Sequence, residues 1–193
     1  MIGAPAKAAS RRLAPQLLCA GIRTSISLIR CAAASFLLCL VPASQAFPVQ
    51  AYSARVVDVS EGDIITIEPA LGGARETVRL QGIDAPELDQ PYGQAAKAFV
   101  ISAALHKTVY VRPGPQGTDS YDRIVAVVEV PGMGILQEML LEAGLAWVWP
   151  RYCRNCNNWE AMQAQAKSGH RGLWADPERI PPWRWREKHK RDH

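Results

Sequence analysis

Residues 54–83 read ARVVDVSEGDIITIEPALGGARETVRLQGI, and the fold turns on how they are read. Ala54 to Val59 and Asp63 to Glu68 are β-branched runs separated by Ser60-Glu61-Gly62, the composition of a tight connection. Gly72-Gly73 marks the next turn, and Thr77 to Ile83 is a third strand. Three strands on short turns make a meander.

Downstream, Gln94 to Leu105 carries its alanines, Phe99, Val100 and Leu105 at helical spacing, directly after Pro91-Tyr92-Gly93. Thr108 to Arg112 is a fourth strand, ended by a surface loop at Pro113-Gly114-Pro115, and Arg123 to Val130 is a fifth, closed by Pro131-Gly132. Leu136 to Ala143 is apolar at 136, 139, 140 and 143, with Gly144 where a helix-terminating glycine belongs. Asn157 or Asn158 can cap a third helix running to about Lys167. Five strands with a helix between the third and fourth predict an α+β, mainly β fold: a five-stranded OB-type barrel with about three helices.

The ends of the 193-residue chain read differently. Residues 1–46 hold Lys7, Arg11, Arg12, Arg23 and Arg30, no Asp or Glu, an apolar run from Cys31 to Val41 and the small-residue end Ser44-Gln45-Ala46. That layout predicts an export signal and a periplasmic or secreted protein; an organellar transit peptide fits the apolar run less well. The run is about half of the roughly 20 residues a spanning helix needs, so no stable membrane anchor is expected. A leader that stayed attached would tether the protein without altering its chemistry. The whole chain carries +4, the leader +5, and residues 179–193 another +4, which leaves 47–178 at −5. A domain of that sign is no general polyanion binder, so affinity for nucleic acid must come from locally placed cations. The basic tail, with Trp183 and Trp185, either lies on the surface or is loose. Three of the five cysteines leave with the leader. Cys153 and Cys156, three apart, are most simply a disulfide in an oxidising compartment, with free thiols the alternative; a zinc site lacks two further ligands.

Chemistry concentrates at Arg79-Leu80-Gln81-Gly82-Ile83-Asp84-Ala85-Pro86-Glu87. Asp63 at one strand start can meet Asp84 at another strand end, and Pro86 holds Ala85 extended, which frees its carbonyl. Two carboxylates, a carbonyl and waters make a weak, open site for a hard divalent ion. The competing reading is that both aspartates satisfy turn N–H groups. Arg79 and Arg123 each offer a planar fork matched to phosphate oxygens; taken singly, either is also a plausible surface arginine, Arg123 having Asp119 and Asp122 beside it. Glu87 can take or orient a water proton, or cap the helix that follows. Tyr121 and Tyr152 can stack on a nucleotide, or rim the core.

Together these residues carry a resemblance. EGD at 61–63, VRLQGIDAPE at 78–87, TDSYDR at 118–123, then Leu141 and Gly144 to Ala146, resemble the staphylococcal nuclease family in order and spacing, over roughly residues 52–176. The resemblance implies an OB-fold, calcium-dependent cleavage of DNA and RNA at the P–O5′ bond, leaving 3′-phosphates, and an exported location. It makes Asp63, Asp84 and the Ala85 carbonyl the calcium ligands, Arg79, Glu87 and Arg123 the catalytic trio, and Tyr121 and Tyr152 nucleotide-pocket residues. Three positions depart from the family: Glu61 stands for an Asp, Ile64 for a Thr, and Asp122 for a Gly. The first two touch the surroundings of the metal. Asp122 sits beside Arg123, where a carboxylate can pair with the guanidinium and the loss of glycine can shift the turn that aims it.

The expected domains are therefore an export signal at 1–46, a nuclease-like domain at 47–178 and a basic tail at 179–193, acting as a monomer on nucleic acid. The alternative is a catalytically weak OB module that grips single strands or a protein partner.

Overall fold

The computed structural model describes residues 50–149, 152–153 and 157–190. The leader predicted at 1–46 and the predicted disulfide partner Cys156 lie outside the described residues.

The meander forms as expected. β1 (Tyr52–Glu61) pairs antiparallel with β2 (Ile64–Pro69), which pairs antiparallel with β3 (Glu76–Leu80). A two-residue strand, β4 (Ile83–Asp84), follows, and then α1 (Gly93–Ala104). β5 (Thr108–Thr118) returns along the free edge of β1 and pairs with β6 (Ile124–Val130). A parallel pairing of β3 with β6, Val78 to Ile124 through Leu80 to Ala126, closes the barrel. Closure removes the exposed strand edges that invite aggregation.

Alternation along the strands fills the interior. Ala54, Val56 and Val59 of β1, Ile65 and Ile67 of β2, Val109 and Val111 of β5, and Ala126, Val128 and Val130 of β6 are all buried. Irregularities in the β1–β2 register after Val56 and Val59 coil β1 so that it can serve two neighbours. After the short β7 (Gly134–Ile135), α2 (Leu136–Glu142) closes one end with Leu136, Leu140 and Leu141. Gln137 is fully buried but not orphaned: its amide donates to the Ala126 carbonyl (2.9 Å) and accepts from the Val128 N–H (3.2 Å).

β8 (Trp147–Val148) pairs antiparallel with β4, α3 (Asn157–Ser168) follows, and a 3₁₀ turn at Gly172–Ala175 docks Leu173 and Trp174 on the body of the protein. The third strand ends at Leu80 and not at Ile83, leaving Ile83–Asp84 as a separate strand, and β7 and β8 are short additions; two further elements differ from expectation. β5 does not stop at Arg112 but runs through Pro113-Gly114-Pro115 to Thr118. The ladder is irregular between Pro113 and Thr118, so no pairing there requires the N–H that proline lacks. The second difference is α4 (Pro182–His189), a fourth helix in the tail. It starts on Pro182, where a missing N–H costs nothing, and carries Arg186, Lys188 and His189 in its last turn, where cations suit the helix dipole. Among the described residues no helix is long and apolar enough to cross a membrane.

Two glycines set the site's geometry. A Cβ at Gly62 would lie 2.6 Å from that of Ala96 and 2.9 Å from that of Ala85, so only glycine lets the β1–β2 turn press against α1 and the segment after β4. A Cβ at Gly93 would run into the Glu87 carbonyl, so only glycine lets the Glu87 loop fold back on the start of α1.

Candidate active site

Asp63 follows the β1–β2 turn, Arg79 sits near the end of β3, and Asp84 ends β4; β2–β3 pairing in the register Ile64 to Arg79 sets the first two side by side. Arg79, only 9% exposed, bridges the two acids: Nη1 lies 3.0 Å from Asp63 Oδ2 and Nη2 lies 2.7 Å from Asp84 Oδ1. Its Nη1 also donates to the Leu80 carbonyl at 3.0 Å. Asp63 is also a turn carboxylate, accepting the Ala85 N–H at 2.6 Å. One buried carboxylate thus fixes Ala85 and neutralises Arg79.

The third segment arrives from far along the chain. Arg186 of α4 donates from Nη2 to Asp84 Oδ2 (2.8 Å) and from Nη1 to Asp84 Oδ1 (3.3 Å) and Glu87 Oε1 (2.5 Å). Glu87 therefore lies on the same patch of acid as Asp84. Burial pushes the Asp84 carboxyl up; the Arg186 hydrogen bond and the charge of Arg79 oppose that, and the balance leaves it raised to about 6. Burial, and then the charges of Glu87 and Asp63, also push the Glu61 carboxyl up against the pull of Arg79 and Arg123. Glu61, at one of the three departures, thus feels the same charged cluster.

Arg123 stands across an open cleft of about 540 Å³, whose lining includes Arg79, Tyr121, Arg123, Trp149 and Tyr152. Its partner is Asp119 and not the adjacent Asp122: Nε lies 2.8 Å and Nη2 2.7 Å from Asp119 Oδ2. Burial would raise the Asp119 carboxyl, but hydrogen bonds from the Arg123 side chain and the Arg123 and Tyr121 N–H groups hold it below the usual range. Asp122 turns the chain instead, at φ 59°, in the left-handed region that the family's glycine enters freely and that aspartate tolerates. Arg123, the next residue, lines the cleft.

Tyr121 is 76% exposed, with the Arg123 guanidinium 5.1 Å from its ring centre, and Tyr152 meets Trp149 edge-on at 4.4 Å. The structure thus brings together Asp63, Arg79, Asp84, Ala85 and Glu87, and sets Arg123, Tyr121 and Tyr152 around the adjoining cleft. Cys153 is disulfide-bonded.

Three residues of the site were not expected from the sequence: Arg186, Trp149 and Trp183. The Trp149 ring has the guanidinium groups of Arg79 and Arg186 6.0 and 5.7 Å from its centre, and stacks on Trp183 at 6.4 Å and 5°. For Arg186 and Trp183 the sequence signal is the alternation of tryptophan and arginine from Trp183 to Arg186.

Among the described residues no three His, Cys, Asp or Glu side chains converge as a ready metal cage. Asp63, Asp84 and Glu87 nevertheless offer only hard carboxylate oxygens, and two of them already gather around an external cation, the Arg186 guanidinium. A donor set of that kind fits a hard divalent ion.

Comparison with known proteins places this geometry. Residues 77–176 match the family model described as staphylococcal nuclease homologue. An uncharacterized endonuclease of Haemophilus influenzae is 38% identical over 137 residues, covering 70% of this chain and 74% of that protein. An uncharacterized endonuclease of Escherichia coli is 35% identical over 134 residues, covering 69% of this chain and 84% of the relative. A micrococcal nuclease of Shigella flexneri is 27% identical over 179 residues, covering 88% and 98%. With the family model spanning more than half of the chain, and Arg79 and Arg123 lining one cleft of a closed barrel, the chain belongs to the staphylococcal nuclease homologue family.

Proposed function

We propose that this protein is an exported, calcium-dependent nuclease that cleaves both DNA and RNA at the P–O5′ bond and leaves 3′-phosphate ends. Nuclease chemistry, the hydrolysis of phosphodiester bonds, comes with the family; the ion, the breadth of substrate, the product ends and the export are our reading. The observation that carries it is the cluster of Asp63, Arg79, Asp84 and Glu87, joined through Arg79 to the aromatic-lined cleft that Arg123 also lines.

Asp63, Asp84 and the Ala85 carbonyl would hold calcium, which supplies a Lewis acid to a non-bridging phosphate oxygen. Glu87, three residues beyond Asp84, accepts the proton of the attacking water. Arg79 arrives with two faces already committed to acids, so its fork is fixed before substrate binds. Arg123 is held from the opposite side by Asp119. Charge that grows on the phosphate oxygens as the fifth bond forms then meets cations that need no reorganisation. Tyr121, Tyr152 and Trp149 give the base a stacking surface that every nucleobase satisfies, which supports acceptance of DNA and RNA alike. The leader at 1–46 supports export, and we take the mature protein to be a monomer without a stable membrane anchor.

Calcium or a chelator, added to the protein with single-stranded DNA and with RNA, tests the reading. Calcium-dependent degradation of both, with phosphate on the 3′ ends, is expected. The binding-module alternative, favoured by the seat of Arg186 on Glu87, predicts retention of oligonucleotide with no cleavage under any divalent ion, and that result would overturn the enzyme.

A further inference from the structure

The seat of Arg186 is difficult to reconcile with a site that stands open. Its guanidinium takes both oxygens of Asp84, a residue 1% exposed, and one oxygen of Glu87. Those are the oxygens the reaction needs: a ligand carboxylate for the cation and the lone pair that receives a proton. Arg79 already neutralises the inner side of Asp84, so Arg186 is a second cation on a carboxylate that has one.

The helix that brings Arg186 in is anchored at several points but lightly. Trp183 packs edge-on to Trp147 (5.9 Å) and stacks on Trp149, Trp185 Nε1 reaches Asp89 at 3.3 Å, and the Gln90 amide donates to the Ile180 carbonyl at 2.6 Å. Gln90 also accepts the Glu87 N–H at 3.2 Å, so one side chain ties the tail to the loop that carries the base. Pro182 is the buried member of α4. An eight-residue helix buries too little to persist once undocked.

We propose that α4 is an intramolecular latch in which Arg186 occupies the Asp84 oxygens that the divalent cation needs and covers the base Glu87, so that metal entry requires the helix to lift. This rests on the metal-dependent reading above. Cation and guanidinium then compete for the same oxygens, and the apparent metal affinity is the intrinsic one reduced by the fraction of molecules with the latch open. A latch closed in nine molecules of ten raises the apparent Kd about tenfold. The consequence is an enzyme held idle where the divalent ion is scarce and released where it is plentiful.

Calcium binding measured by titration calorimetry, with amide hydrogen exchange across residues 182–190, tests this on the wild type, Arg186→Ala and Trp183→Ala. Arg186→Ala should bind calcium about tenfold more tightly. Trp183→Ala, which keeps every charge and loosens only the docking, should also bind more tightly, by a smaller factor. Saturating calcium should speed exchange in α4 of the wild type by up to about tenfold. A gain confined to Arg186→Ala, with α4 equally protected with and without calcium, would reduce Arg186 to a local charge effect and overturn the latch. Equal affinities in all three would overturn it too. No calcium binding by any of them would overturn the metal-dependent reading itself and this inference with it. Should Arg186→Ala fail to fold, Trp183→Ala and the wild-type exchange decide.

Discussion

Arg79→Lys separates what Arg79 does for the fold from what it does for the reaction. The guanidinium spans Asp63 and Asp84 at 3.0 and 2.7 Å, and one lysine ammonium, a compact point charge, cannot hold both while presenting a flat fork to phosphate. The substitution forfeits one buried charge-assisted hydrogen bond, about 1.5–3 kcal/mol. The loss should fall at the low end, because Asp63 keeps the Ala85 N–H and Asp84 keeps Arg186. For a domain of this size, about 1.5 kcal/mol lowers Tm by roughly 3–6 °C, leaving the protein folded at 25 °C. Turnover at that temperature should nevertheless fall by about 10²-fold or more, the scale of losing one preorganised donor to the transition state. Thermal unfolding followed by circular dichroism and hydrolysis of a labelled oligonucleotide, made on the same preparation, measure the two separately. A variant with the expected Tm shift and full turnover would refute the reasoning, leaving Arg79 as a structural bridge alone.

Other predictions follow the same geometry. Gly93→Ala should cost about 1–3 kcal/mol in urea unfolding, because the new methyl group meets the Glu87 carbonyl, and it should slow hydrolysis by displacing that loop. Tyr121→Ala, at an exposed ring, should leave stability unchanged and raise KM about fivefold or more, the effect of about 1 kcal/mol of lost base stacking; an unchanged KM would remove Tyr121 from the substrate path. Because the Asp84 carboxyl is raised to about 6, protonation below that pH removes a ligand charge. Calcium affinity should therefore be full above pH 6 and weaken as the pH falls through it, by up to about tenfold per unit, as calorimetry at a series of pH values would register. The same raised carboxyl favours the protonated fold, so the metal-free protein should lose stability as the pH rises from about 4 to 6.

Much of the barrel was legible because its strands obey a period of two with β-branched residues on the inner face, and because glycine pairs mark the turns. Part of the inner site was legible for a related reason: pairing of β2 with β3 sets Arg79 opposite Ile64 and so beside Asp63, while Asp84, on a strand that pairs with β8 instead, follows Arg79 by only five residues. At Asp122 the sequence shows the loss of glycine, but neither that aspartate holds a left-handed turn there nor that Asp119 is the arginine's partner. The Pro113-Gly114-Pro115 stretch looked like a strand end because it is only the irregular register opposite it that makes proline tolerable there. Arg186 was hidden by distance. It lies 99 residues from Glu87, in a charged helix too short to show a clear apolar face, and nothing local specifies that it should dock. Trp149 was hidden by context, since a tryptophan after a strand reads equally as core.

The central claim is that one three-segment site, with Glu87 as its proton acceptor, hydrolyses the phosphodiester bond. The most direct test is the single-turnover cleavage rate of a labelled DNA oligonucleotide in excess calcium, compared between the wild type and Glu87→Ala. Loss of about 10²-fold or more, with oligonucleotide binding retained, is the predicted result; a Glu87→Ala rate equal to that of the wild type would contradict the account.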